Sequence, residues 1–510
     1  MRQFERNVAR SISHLMTTQS DCVQYHGAVA RSYLPYHPAL LTDLYHPDSA
    51  YVAWRTGRNG RATFELYARR PPFGGVYFLV AGLEMALEFV RQFQYSEEDI
   101  NFLQQIRDYD PAFLGGLRSM RFSGEILAMP EGSIAFANEP LLRVTAPFQE
   151  AILLESGLLQ ALNVATLIAT KASRIVWAAR GRPVAEFSLR RAQEPYVATR
   201  SSRIGGAFST SFLGGAYRFR LPSTGTVPHA LIQLFDSERA AFEATAETYN
   251  RYTLLLDTYD TRAAIHTAVE VAARTRDRLG HVLAAVRLDS GDLLDDARYV
   301  RGVLDEAGLR DVKIAASGDL DEFSINDLVE AGAPIDSFGV GTSIGVGAGS
   351  VARDIEGAAL GGVYKQVLYE DDHGVHPKIK VAGDKSTWPG KKEVYRLGAF
   401  EEDVIQLADE PKPAKSERLL KPVVIDGEVV PGSLPPLSEI WEFAQGNLRK
   451  LPDVHRQLAD PKPYPVRMSA DLRQLRERIL REGGYRTGLD PESTKGNGKV
   501  ARQPAPTTAG

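Results

Sequence analysis

Hydrophobic residues follow two periods along this chain. Apolar runs of strand length end in polar clusters, and after each cluster the apolar residues recur every three or four positions. That is the pattern of a strand feeding a helix. Four such transitions follow one another: Thr253-Leu254-Leu255-Leu256-Asp257-Thr258-Tyr259-Asp260, Val286-Arg287-Leu288-Asp289-Ser290-Gly291-Asp292, Ala315-Ala316-Ser317-Gly318-Asp319-Leu320-Asp321 and Phe338-Gly339-Val340-Gly341-Thr342-Ser343. They lie about 25–30 residues apart, the spacing of βα units. Units that close into a barrel bring every strand end to one rim, where reactive groups converge. The clearest crossover helix spans Thr261–Leu279.

Outside these units the pattern is more mixed. Residues 1–36 read as an N-terminal extension. Residues 37–147 read as a mixed α/β domain: a strand at 63–68, an apolar strand at 76–80 after Gly74-Gly75, and a helix at 83–93. Ser96 caps a further helix with acids in its first turn. Two or three short strands surround Pro130-Glu131-Gly132. The barrel domain is expected over 148–362, with a helix at 149–179, a strand at 184–189 and a helix at 238–251. From 363 to 486 short strands are expected at 363–369, 378–381 and 393–397, with Lys385, Lys391 and Lys392 between them. Residues 411–436 read as irregular and 470–481 as an amphipathic helix. The composition of 487–510 predicts a disordered tail.

Composition narrows the class. With 510 residues, 44% hydrophobic and 24% charged, this is an ordinary globular composition. A net charge of −4 gives no reason to expect a nucleic-acid or membrane-surface binder. The single cysteine, Cys22, excludes an intrachain disulfide framework and suits the cytoplasm. The most apolar segment, 151–169, is broken by Glu155, Gln160 and Asn163, so it predicts a buried helix and not a membrane span.

Arg287 and Asp289 are the sharpest candidates for chemistry. Strand alternation puts them on one face, and burying both is costly unless they pair or bind a ligand. The arginine fork suits a carboxylate or phosphate, and an aspartate suits ribose hydroxyls or hydrated Mg²⁺. The plainer reading is a structural ion pair with Asp292 as a helix cap. Gly341 and Thr342 end an apolar strand where backbone N–H groups can cradle a phosphate; a tight strand exit needs the same glycines. Ser317, Gly318 and Asp319 can face a sugar, or form a loop in which Asp319 or Asp321 caps. Asp257 and Asp260 invite the same two readings. Arg190-Arg191, after Phe187, can bind pyrophosphate or lie in solvent. His229, in Gly225-Thr226-Val227-Pro228-His229-Ala230, is placed as a general base or phosphoryl acceptor, though most loop histidines do neither. No zinc-type spacing and no Walker loop is found.

Taken together these residues resemble the nicotinate phosphoribosyltransferase family. The likeness runs from about Leu40 to Arg396. It includes Leu41-Thr42-Asp43-Leu44-Tyr45, Pro72-Phe73-Gly74-Gly75, Ala81-Gly82-Leu83-Glu84, Thr166-Leu167-Ile168-Ala169-Thr170-Lys171, Glu186-Phe187 with Leu189-Arg190-Arg191-Ala192-Gln193, Arg287 to Asp292, and Gly361-Gly362-Val363-Tyr364-Lys365. The resemblance implies an α/β fold: an irregular (β/α) barrel with a second mixed α/β domain built from the N-terminal region and part of the C-terminal region. It implies transfer of a ribosyl phosphate from phosphoribosyl pyrophosphate to nicotinate, coupled to ATP hydrolysis through a phosphohistidine, with Mg²⁺, in a homodimer with sites at the interface.

By the same resemblance His229 is phosphorylated, and Phe187 sandwiches the pyridine ring with Tyr45 of the partner subunit. Thr226, Ser211 and Arg287 lie near the carboxylate. Asp289 and Asp319 hold ribose or Mg²⁺, while Gly341 and Thr342 take the 5′-phosphate. The chain departs from the family pattern in Pro47, expected to stop the helix after Tyr45, in Pro228 and Ala230 beside His229, and in Ser188 and Glu194 where glycines are usual. The alternatives are an enzyme for nicotinamide or another pyridine base, and a catalytically silent relative acting as a binding partner.

Overall fold

A computed structural model of the chain describes residues 37–350, 353–357, 359–382 and 386–483. The expected extension at 1–36, the tail at 487–510 and Lys385 lie outside them.

The four predicted transitions supply four neighbouring strands of one six-stranded sheet. Its order is Ser209–Thr210, Val184–Glu186, Ser337–Val340, Lys313–Ala316, Val282–Leu288, Arg251–Leu255, and every pairing is parallel. The sheet curls into a half barrel. Among the described residues no pairing closes Ser209–Thr210 onto Arg251–Leu255. The chain between them forms the helices Leu213–Phe219, His229–Leu234 and Glu238–Thr248 instead of a strand. Val286 and Leu288 point into the apolar layer shared with Ile175, Phe242, Ile314 and Phe338. Arg287, between them, is half-buried on the inner face. The period-two pattern therefore separates a packed outer face from a polar lumen.

Three of the four helices of these units start on an acid from the polar cluster, while the fourth, Thr342–Gly345, follows Gly341 without a side-chain cap. Asp260 caps Thr261–Leu279, Asp292 caps Leu293–Glu306, and Asp321 caps Glu322–Glu330 in a capping box with Ser324. For these three residues capping is the role observed.

The rest of the chain interleaves its two ends. A seven-stranded sheet runs Gly374–Pro377, Gly362–Asp371, Arg61–Ala68, Leu142–Pro147, Glu125–Ala128, Lys421–Ile425, Glu428–Val429. A four-stranded sheet runs Ser416–Arg418, Lys392–Leu397, Glu402–Leu407, Val466–Met468. Two polar positions inside Arg61–Ala68 are buried: Glu65 against Lys392 Nζ at 2.8 Å, and Thr63, which meets Thr145 at 3.0 Å.

Several boundaries differ from expectation. Pro47 does not stop a helix. It is the third residue of Tyr45–Arg55, in the first turn, where a missing N–H costs nothing. The strand expected at 184–189 ends at Glu186, and the helix expected to reach 251 ends at Thr248. The strand expected at 378–381 is Gly374–Pro377, set by the hairpin turn that Gly374 closes with φ +125°. Residues 411–436 hold three strands, because Lys421–Ile425 pairs with the distant Glu125–Ala128. The apolar segment at 151–169 falls in buried helices, chiefly Glu155–Ala178. Among the described residues no helix is long and apolar enough to cross a membrane.

Candidate active site

Arg287 organises the rim. Its Nη1 donates to Thr226 Oγ1 at 2.8 Å, its Nε to Ser317 Oγ at 2.7 Å, and its Nη2 to Asp289 Oδ1. Ser317 Oγ in turn donates to Asp289 Oδ1. Burial by itself would raise the Asp289 carboxyl. Hydrogen bonds from Ser317 and Arg287, with the charges of Arg287 and His229, outweigh it and hold the group below its ordinary value. Asp289 is thus an ionised carboxylate at neutral pH.

His229 faces this cluster from the start of His229–Leu234. Its Nε2 is 3.9 Å from Asp289 Oδ2, and its Nδ1 is 3.1 Å from Thr258 Oγ1. Asp257, the residue before Thr258, accepts from Asp289 N–H at 2.9 Å and from Ser290 Oγ at 2.6 Å.

Gly318 lies against the same carboxylate's backbone. Its φ is +92°, and an added Cβ would fall 1.8 Å from the Asp289 carbonyl oxygen. Asp319 follows at φ +41° and is exposed.

Phe187 leaves its strand with its N–H bonded to Val340 O at 2.8 Å. Its ring lies on Gly339, where a Cβ would be 2.3 Å from a ring carbon. Buried Glu186 fixes this corner, accepting from Ser188 N–H at 2.5 Å, Thr199 Oγ1 at 2.9 Å and Thr210 Oγ1 at 2.6 Å. Ser188 fits because Gly345 beside it has no side chain. Ser211 stands exposed one residue beyond Thr210, its N–H on Glu186 O. Gly341 packs on Phe187 O, and Thr342 opens the short helix Thr342–Gly345.

The structure thus bonds Thr226, Arg287, Asp289 and Ser317 into one cluster and brings His229 to within 3.9 Å of its carboxylate. Gly318 adjoins it, and Phe187, Gly341 and Thr342 form a neighbouring corner. Arg190 is exposed in a turn and makes no ion pair among the described residues. Tyr45 is exposed, and its ring meets buried His46 at a tilt of 48°, with centroids 3.9 Å apart. Among the described residues no hydrogen bond or ring contact joins it to the cluster. Sequence reasoning missed Thr258 and the anchors Glu186 and Thr210. Thr258 could have been sought as the neighbour of Asp257 at a strand exit.

Comparison with known proteins agrees with this architecture. Residues 40–163 match the model of the nicotinate phosphoribosyltransferase N-terminal domain, and 412–476 that of the C-terminal domain. A nicotinate phosphoribosyltransferase of Mycobacterium tuberculosis is 38% identical over 438 residues, 84% of this chain and 91% of that protein. Its Bacillus subtilis counterpart is 37% identical over 465 residues, 85% and 93% of the two chains. The crystal structure of human nicotinic acid phosphoribosyltransferase superposes with a TM-score of 0.76 at 31% identity, covering 86% of this chain and 99% of that one. On this identity and coverage, the chain belongs to the nicotinate phosphoribosyltransferase family.

Proposed function

We propose that this chain is a nicotinate phosphoribosyltransferase. It moves the ribosyl phosphate of phosphoribosyl pyrophosphate onto the ring nitrogen of nicotinate, giving nicotinate mononucleotide and pyrophosphate. The observation that carries the reading is the convergence of Thr226, His229, Arg287, Asp289 and Ser317 at the parallel strand ends.

The reaction breaks the bond from C1′ to pyrophosphate and forms one from C1′ to nitrogen. Positive charge builds on the sugar in between, so an ionised carboxylate beside the ribose stabilises it. Asp289 has that charge state, with Ser317, Gly318 and Asp319 shaping the ribose side. Arg287, Thr226 and Ser211 would orient the nicotinate carboxylate. Phe187, propped on Gly339, gives the ring one face, and Tyr45 of the partner subunit the other. Gly341 and Thr342 would take the 5′-phosphate, and the exposed Arg190 the pyrophosphate. A homodimer is supported by apolar side chains left in solvent on the barrel helices, Leu213 at 74% exposure and Leu234 at 75%.

ATP hydrolysis would be coupled through phosphorylation of His229. Among the described residues no group of three or more His, Cys, Asp or Glu side chains could hold a metal. Mg²⁺ typically binds one or two carboxylates plus substrate phosphates, and Asp289 with the buried, unpartnered Oδ1 of Asp257 nearby fits that donor set. When bound, the ion would neutralise pyrophosphate charge.

The test is an assay of purified protein with phosphoribosyl pyrophosphate and either nicotinate or nicotinamide, each with and without ATP. Nicotinate mononucleotide formed faster with ATP is expected. Turnover of nicotinamide alone would overturn the substrate assignment, and equal rates without ATP would overturn the coupling.

A further inference from the structure

We propose that Thr258 is a positioning residue that fixes the imidazole of His229 and selects Nε2 as its reacting nitrogen. The inference rests on the reading of His229 as phosphoryl acceptor and adds the group that aims it.

The helix His229–Leu234 has six residues and no side-chain cap. Among the described residues, the one hydrogen bond tethering the His229 ring is Nδ1 to Thr258 Oγ1. With Nδ1 engaged there, Nε2 is the nitrogen turned toward Asp289. The neighbouring Asp257 holds the other side of the pair through Asp289 N–H and Ser290 Oγ. Two consecutive residues at one strand exit therefore set both members of the His229–Asp289 pair.

A hydroxyl suits the task. It accepts from Nδ1–H, which keeps the lone pair on Nε2. In transfer from a nucleoside triphosphate, that lone pair forms the N–P bond. The bond from the γ-phosphorus to its bridging oxygen breaks, and its electron pair leaves with the nucleoside diphosphate. No proton need move: Nδ1–H stays, the ring becomes cationic, and Thr258 accepts from a stronger donor. Hydrolysis returns the electron pair to Nε2 and releases inorganic phosphate.

The charged groups facing His229 are Asp289 and Arg287, from the Val282–Leu288 strand and its exit. Its own helix carries no other charge, and the helix packed beside it opens with Glu238. Substitution at Thr258 leaves all of these in place.

The experiment compares Thr258→Val and Thr258→Ser with the native full-length protein. Acid-labile incorporation of γ-labelled phosphate from ATP is followed against pH. Independently, the carbethoxylation rate of His229 is read by mass spectrometry at one fixed pH without nucleotide. Thr258→Val should slow phosphorylation about tenfold, the worth of one hydrogen bond. It should also slow carbethoxylation of His229 at a fixed pH, because the ring loses the acceptor that holds Nδ1–H and leaves Nε2 as the nucleophile. Thr258→Ser should restore both. Native behaviour in Thr258→Val, or equal impairment in both variants, would overturn the proposal. If the native protein takes up no phosphate, the acceptor reading of His229 fails alone. The carbethoxylation rate still decides the Thr258 contact: a slower rate in Val restored in Ser upholds it, and an unchanged rate overturns it.

Discussion

Arg287 and Asp289, two residues apart on one strand exit, are joined directly and also through Ser317. The Ser317 hydroxyl accepts from the guanidinium and donates to the carboxylate. Each charge thereby fixes the other, and the pair presents as a unit. Ser317→Ala removes the bridge while keeping both charges. Its kcat/KM for nicotinate should fall about tenfold to a hundredfold, the range for one charge-assisted hydrogen bond. Steady-state kinetics on both proteins check this.

The depressed Asp289 carboxyl also affects stability. A group whose folded value lies below its unfolded one stabilises the fold above the unfolded value. That contribution is lost as pH falls through the folded value. Asp289→Asn should therefore be less stable than native above about pH 4, and the gap should close at lower pH. Urea unfolding midpoints against pH measure it.

Gly318 has no room for a side chain, at φ +92° with the Asp289 carbonyl oxygen in the way. Gly318→Ala should displace Asp289 and lower kcat/KM at least about a hundredfold. Its stability should fall by about 1–3 kcal/mol. Kinetics and denaturation of the same preparation separate the two effects.

Far from the rim, Glu139 is fully buried beside Asp403, which already holds Arg396 and Tyr464 OH. Burial first, then the charge and hydrogen bond of Asp403, push the Glu139 carboxyl well above its usual range. A raised folded value stabilises below the ordinary carboxylate value, and that stability is lost as pH rises through the folded value. The native protein should weaken from about pH 5 upward. Glu139→Gln, which mimics the protonated acid, should flatten that slope, as urea midpoints from pH 5 to 9 would show.

The half barrel was legible because its strands carry unbroken outer-face residues such as Val286, Leu288, Phe338 and Val340, each run ending in turn chemistry. Arg287 and Asp289 stood out because alternation sent two charges to one face. The acids beside them were ambiguous for a physical reason: an aspartate at a strand-to-helix turn can cap or bind. In the structure Asp260, Asp292 and Asp321 cap. The strands within 411–436 were hidden because Pro422 and Lys421 disguise a strand whose partner, Glu125–Ala128, is remote in sequence. Thr258 was hidden because its contact with His229 depends on how two separate loops meet.

The most direct test of the account is nicotinate mononucleotide formation by Arg287→Ala beside the native protein, with folding matched by urea midpoint. Arg287 holds Thr226, Ser317 and Asp289 together, so the account predicts that kcat/KM falls at least about a hundredfold. A variant that folds normally and turns over nicotinate at the native rate would contradict it.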